Sequence, residues 1–296
     1  MAVGYRETNQ NITNVVSIKV YVKNKMTKEE VTKAFGQDGL IPKTVANVRT
    51  DVVHAGDVRA QNTYISKVRP LRPGYSVGHP TTTAGTIGGF YRDSDGDVIL
   101  LSNNHVLAVV NNAKICDVCV QPGPFDKTPN PFRGWIKPVI NLDQIGFLKD
   151  YVRLEASGNL QDSAILKVHE DIIANSGIVT AYPDGIISQG GPLAPTIGMN
   201  VIKFGRTTGM TTGTITAING TQDVNFGPYG TISFSDCIYT TPMSSGGDSG
   251  SVVMSNEPSS GGREDVGLLF AGSPSVTICN PISYAYTRYN ILFRLP

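Results

Sequence analysis

The chain has 296 residues, of which 40% are hydrophobic and 17% charged, and its formal net charge is +1. That composition excludes a disordered chain, which needs less apolar and more charged sequence. It also removes the electrostatic case for binding nucleic acid or an anionic membrane surface.

The 32 glycines and 18 prolines favour short strands and tight turns over helical bundles, so the expected fold class is mainly β. The first residues lack a basic region followed by an apolar run of roughly 7–15 residues, so no secretory signal is expected. No apolar run approaches the roughly 20 residues that span a bilayer. The expected setting is cytoplasmic, where Cys116, Cys119, Cys237 and Cys279 stay reduced. Cys116-x-x-Cys119 is half of a zinc motif with no second pair following, so neither a metal nor another cofactor is expected.

Residues 1–72 read as a small α+β unit. Residues 16–22 alternate apolar and polar, as a half-buried strand should. Thr27 and Glu30 have the spacing of a capping box for a helix running to about Phe35 and stopped by Gly36. Residues 45–53 read as a further strand.

From residue 73 short strands follow one another. Residues 86–91 and 98–101 flank Asp95-Gly96, a hairpin signal. The acidic run Asp93, Asp95, Asp97 invites a calcium reading, but Val98 stands where the EF-hand loop needs glycine, and a turn explains the run. Residues 116–150, rich in Pro, Asn and Gly, read as a long surface excursion. Strand pattern resumes at 163–168, and 190–195 reads as a hinge. Strands are then expected at 201–204, 213–218, 231–239, 251–254 and 266–271, with a turn at Asn219-Gly220. Such spacing suits a sandwich or a barrel, in two β units covering 73–192 and 193–296.

Ser249 stands in Ser244-Ser245-Gly246-Gly247-Asp248-Ser249-Gly250-Ser251. An alcohol that attacks a carbonyl needs backbone amides aimed at the developing oxyanion, and glycine lets the chain turn its amides inward. The amides of Gly247 and Ser249 are the natural donors. The competing reading is a Gly/Ser-rich surface loop. The base must come from four histidines. His54, His79 and His169 read as structural or solvent-facing, whereas His105 follows the apolar run of a buried strand in Ser102-Asn103-Asn104-His105-Val106-Leu107.

These two segments resemble the trypsin-like, chymotrypsin-fold serine peptidases. Ser102–Leu107 is similar to the histidine motif of their bacterial members, and Gly247-Asp248-Ser249-Gly250 to the nucleophile motif. Asp162-Ser163-Ala164-Ile165-Leu166 resembles the family's aspartate leading into an apolar strand, 57 residues after His105 and 87 before Ser249. Residues 203–209 look like the opening of the second barrel, and 266–273 like the strand that receives substrate backbone.

The resemblance implies two antiparallel β-barrels preceded by a small α+β unit, with the active site in the groove between the barrels. It implies a serine endopeptidase with a His105, Asp162, Ser249 triad and an oxyanion hole of Gly247 and Ser249. Met243, Ser244, Ala271, Gly272 and Ser273 are the expected substrate-binding positions, and the partner is a protein or peptide substrate, with room for a dedicated target or activator. Met243 stands where a trypsin-type pocket carries its acid, and 242–247 contains no acid, so an uncharged pocket is expected.

The N-terminal extension resembles that of bacterial intracellular-type members. Its expected roles are to hold the protease latent, with release by cleavage near 73–88, or to recruit a target. The alternative is a catalytically silent barrel scaffold used for binding. An α/β-hydrolase esterase is disfavoured, because its histidine comes last and its nucleophile sits on a Gly-x-Ser-x-Gly elbow.

Overall fold

The computed structural model describes residues 2–8, 11–22, 25–54, 64–126, 143–175, 181–183, 185, 188–257 and 262–295. The chain divides into two units, Met1–Gln61 and Asn62–Pro296.

The first unit carries β1 (Ala2–Thr8), β2 (Asn11–Val22), α1 (Lys28–Phe35), β3 (Thr44–Val45) and β4 (Val48–His54) in a sheet ordered β1-β2-β4-β3. The capping box forms as its spacing demands: the Glu30 amide donates to Thr27 Oγ1 at 3.2 Å, and the Thr27 amide donates to Glu30 Oε2 at 2.8 Å. Gly36, at φ +72°, ends the helix. The single strand expected over 45–53 is instead a hairpin, because Ala46 and Asn47 both take positive φ.

The alternation of β2 predicts burial of the wrong set. Val16 is 52% exposed, whereas Ser17 and Lys19 are buried. Alternation fixes which residues share a face, and what packs on each face decides which one is buried. Here α1 buries no residue. A cavity of about 710 Å³ is lined by Val31 and Phe35 of the helix and by Val22 and Val52 of the sheet.

The second unit opens with β5 (Ser76–Val77), β6 (Gly85–Thr86), β7 (Gly89–Asp93), β8 (Val98–Ser102), α2 (Asn104–Leu107), β9 (Val118–Val120), β10 (Gln144–Tyr151), β11 (Ala164–Val168) and α3 (Glu170–Asn175). Strands pair in the order β7-β8-β11-β10-β9. The β5–β6 pair completes the ring, bridged to β9 through Gly78–Val120 and running on from β6 directly into β7. Leu71, Ile87, Phe90, Leu100, Leu107, Ile145 and Leu166 fill this barrel.

The remaining elements are β12 (Ser188–Pro192), β13 (Asn200–Gly205), β14 (Gly209–Asn225), β15 (Thr231–Thr240), β16 (Val252–Ser255), β17 (Arg263–Ser273), β18 (Val276–Pro281), α4 (Ile282–Arg288) and β19 (Ile291–Arg294). The sequence β17-β16-β13-β14-β15-β18 returns to β17 and closes a second barrel, with β12 added in parallel on β17. The last strand, β19, pairs with β7 of the first barrel. A core cluster containing Tyr91, Leu101, Ile165, Phe204, Val252, Leu268 and Tyr286 draws on both barrels and binds them together.

Four expectations change. The ends of the supposed excursion 116–150 are core strands β9 and β10, with Cys119, Val120, Ile145 and Leu148 buried; residues 127–142 lie outside the described residues. Part of the 190–195 hinge is β12. Asn219, at φ +57°, marks an irregularity within the continuous β14, and the chain reverses at 226–230 instead. A cut at 73–88 would sever β5 and β6, whose residues are buried, and would detach the core residue Leu71.

Candidate active site

The sheet register explains why distant residues meet. β8 and β11 are antiparallel neighbours with Ser102 opposite Ala164. His105 comes three residues after one and Asp162 two residues before the other, so both emerge at the same edge of the first barrel. There His105 Nδ1 lies 2.5 Å from Asp162 Oδ2, and the His105 amide donates to Asp162 Oδ1 at 3.2 Å. The carboxylate is fully buried while the imidazole is 20% exposed.

Asp162 is itself held from both barrels. Asn103 Nδ2 donates to the Asp162 carbonyl at 2.6 Å, and the Asp162 amide donates to Asn280 Oδ1 of β18 at 2.9 Å. The Phe226 ring, at the end of the long β14–β15 hairpin, packs 5.6 Å from the His105 ring. His79 and His169 are engaged away from this pair. His79 Nδ1 bonds Thr81 Oγ1 at 2.8 Å, His169 packs on Phe147, and His54 belongs to β4 of the first unit.

Ser249 precedes β16 on the second barrel. Its loop is fastened to the first barrel through Thr86: the Thr86 amide donates to the Ser249 carbonyl at 2.8 Å and Thr86 Oγ1 to the Gly247 carbonyl at 3.0 Å. Ser102 Oγ, at the end of the strand leading to His105, donates to the Thr86 carbonyl at 2.8 Å. One residue therefore ties the Ser249 loop to the His105 strand. Gly247 takes φ +97°, and a Cβ there would collide with Arg206 and Thr207. Among the described residues, the amides of Gly247 and Ser249 donate to no protein acceptor.

Beneath the loop Asp248 is fully buried against the equally buried Lys203, with Nζ 3.1 Å from Oδ2. It also accepts from the amides of Thr207 (2.9 Å), Thr208 (3.1 Å) and Ser245 (3.0 Å) and from Thr208 Oγ1 (2.6 Å). Burial pushes the Asp248 carboxyl up. Lys203, the Thr208 hydroxyl and the amides outweigh it and hold the carboxyl below the usual carboxylate range. Position 205 must be glycine, since a Cβ there would collide with this carboxylate.

Beside Ser249 opens a cavity of about 410 Å³, lined by Ser244, Ser245, Gly246, Leu269, Ala271, Gly272, Ser273 and Pro274. Of the five positions expected to bind substrate, Ser244, Ala271, Gly272 and Ser273 line this cavity. Met243 does not. Only 4% exposed, it belongs to the second barrel's core cluster, and a Cβ on Gly213 would meet its sulfur at 2.9 Å. Among the described residues, no charged side chain lines the cavity.

The sequence reading missed Asn280, Phe226, and the roles of Asn103, Thr86 and Lys203. The only available signal was indirect: Lys203 in an apolar strand, which is where a lysine needs a buried partner.

No family model and no curated protein matches the sequence. Solved structures do. Nocardiopsis protease (NAPase) superposes with a TM-score of 0.52 at 18% identity, over 76% of this chain and 99% of its own. The fold is chymotrypsin-like. A glutamic acid specific serine protease with a novel histidine triad in substrate binding gives a TM-score of 0.49 at 18% identity, over 76% of this chain and all of its own. Cellulomonas bogoriensis chymotrypsin gives 0.49 at 18%, over 76% and 98%. The TM-score of 0.52 carries the statement of fold.

Proposed function

We propose that this chain is a serine endopeptidase working through Ser249, His105 and Asp162. The observation that carries the reading is the buried Asp162 carboxylate bonded to His105 Nδ1 at 2.5 Å, at the edge against which the Ser249 loop is fastened. A carboxylate so placed fixes the tautomer that leaves Nε2 free to accept a proton.

In this reading Ser249 Oγ attacks the scissile carbonyl and gives its proton to His105 Nε2 as the C–O bond forms. Asp162 stabilises the imidazolium. The amides of Gly247 and Ser249 receive the oxyanion, each worth about 3–4 kcal/mol in comparable sites. Collapse breaks the C–N bond, and His105 returns the proton to the leaving amine. Water then attacks the acyl-enzyme, giving its proton to His105; collapse breaks the ester C–O bond, His105 returns the proton to Ser249 Oγ, and the acid product leaves.

The lining of the 410 Å³ cavity supports an uncharged P1 side chain. None of its described lining residues would neutralise a buried Lys, Arg, Asp or Glu, and an unpaired charge there is costly. The expected substrate is a protein or peptide.

Lys203 already answers Asp248 inside the fold, so a freshly cut N-terminus has no role at this carboxylate. Latency, if imposed by the first unit, then acts by obstruction or sequestration. Profiling a peptide library with the full chain tests the reading. Cleavage after uncharged residues, abolished by Ser249→Ala, is expected. Cleavage only after Lys, Arg or Glu would defeat the pocket assignment, and no cleavage at all would favour the silent scaffold.

A further inference from the structure

We propose that Thr207 is a positioning residue that aims the oxyanion donor at Gly247, under the command of an Arg206–Asp126 pair that spans the two barrels. The proposal rests on the reading of Gly247 and Ser249 given above.

The geometry of the loop is set by where its carbonyls go. In a trans peptide the C=O and the following N–H point in opposite directions. Tying down one carbonyl therefore aims the next amide the other way. The Asp248–Ser249 peptide is fixed by Ser251, whose Oγ donates to the Asp248 carbonyl at 2.6 Å and whose amide donates to it at 3.0 Å. The Gly246–Gly247 peptide is fixed by one bond, from Thr207 Oγ1 to the Gly246 carbonyl at 2.8 Å. Of the two donors, the Gly247 amide is the one whose direction depends on a single hydroxyl. Both flanking residues are glycines, which resist a peptide flip least.

A threonine hydroxyl could turn its proton elsewhere, but here it is committed. Arg206 Nη1 donates to Thr207 Oγ1 at 2.8 Å, so that oxygen accepts from Arg206 and its own proton is left for Gly246. Arg206 is held in turn. Its Nε donates to Asp126 Oδ2 at 2.8 Å and its Nη2 to Asp126 Oδ1, a bidentate pair with both side chains at least nine-tenths buried. Ser76 Oγ donates to the same Asp126 carboxylate at 2.5 Å. The Arg206 amide donates to Thr86 Oγ1 at 3.0 Å, the hydroxyl that holds the Gly247 carbonyl. Thus Arg206 governs both threonines that set this loop, while its anchor, Asp126, belongs to the first barrel. Correct docking of the barrels and correct aim of the oxyanion donor become one event.

The test compares Thr207→Val, which keeps the shape and loses the donor, with Thr207→Ser, which keeps the donor. The probes are the best-cleaved library peptide as its p-nitroanilide and the same peptide as its aldehyde, whose hemiacetal oxygen occupies the oxyanion position. Removing a direct oxyanion donor costs 10²–10³ in kcat, so misaiming one is expected to lower kcat of Thr207→Val about tenfold. KM should stay within about twofold, because the bond acts mainly in the transition state. Aldehyde affinity should fall by the same factor as kcat, melting temperature should not move, and Thr207→Ser should track the wild type.

A Thr207→Val enzyme with wild-type kcat and aldehyde affinity would overturn the proposal. So would equal losses in Thr207→Val and Thr207→Ser accompanied by a lower melting temperature, since that pattern marks a structural role. A wild type that neither cleaves peptides nor reacts with a fluorophosphonate would instead sink the protease reading beneath it.

Discussion

Lys203 and Lys149 each gather acceptors across strands, in opposite surroundings. Lys203 and Asp248 are both fully buried, 3.1 Å apart, with further bonds from Lys203 Nζ to the Gly209 carbonyl and to Thr208 Oγ1. Lys149 reaches three carboxylates of the β7–β8 hairpin, Asp93 at 2.6 Å and Asp95 and Asp97 at 2.8 Å, and Lys167 adds a bond to Asp97 at 2.7 Å. There the side chain of Asp95 is 70% exposed, and water can replace the ammonium. The lysine that matters more has fewer charged partners. Inside the barrel no solvent can take its place, so it sets the conformation of the residue next to the nucleophile, whereas Lys149 trims a surface turn.

The sharpest way to break this comparison is Lys203→Met. A carboxylate left unpaired at Asp248 should cost about 3–5 kcal/mol of stability in a denaturant titration and take peptidase activity with it. A loss below about 1 kcal/mol, the range of exposed pairs, would show that Lys203 is no different from Lys149.

Acid gives a second, smaller effect. Folded Asp248 holds its carboxyl below the unfolded value, so its contribution is complete above about pH 4 and is lost as pH falls through the depressed folded value. Stability measured against pH should therefore fall less steeply on the acid side in Asp248→Asn than in the wild type, from a lower starting level. Parallel curves would assign the acid sensitivity to other carboxylates.

The smallest change is expected for Lys149→Ala: a loss of about 1 kcal/mol or less, reduced further by salt, with peptidase activity unchanged. Asp95 and Asp97 can turn toward water, and the buried Asp93 keeps the amides of Asp95 and Asp97, so a loss equal to that of Lys203→Met would erase the distinction between the two sites.

The same contrast explains what was legible in the sequence. The choice of barrels over a sandwich and the candidate Asp162 came only with the family resemblance. Short strands, a histidine just past one of them and a serine among glycines could be read because each depends on local chemistry. Thr27 and Glu30 were legible for the same reason. The Lys203–Asp248 pair was not, since the partners are 45 residues apart and only the pairing of β13 with β16 brings them together. Likewise Asn280 reaches Asp162 across 118 residues. β9 and β10 were hidden by the Pro- and Asn-rich stretch between them, whose composition masked two short core strands. Met243 misled because counting back from Ser249 gives a position along the chain, and the side chain there turns into the core.

The most direct test of the central claim is reaction of the full-length chain with a fluorophosphonate, read by intact mass and peptide mapping. The account predicts one phosphonylated residue, Ser249, in the wild type and none in Ser249→Ala or His105→Ala. A folded wild type that stays unmodified, or a label carried by another serine, would contradict it.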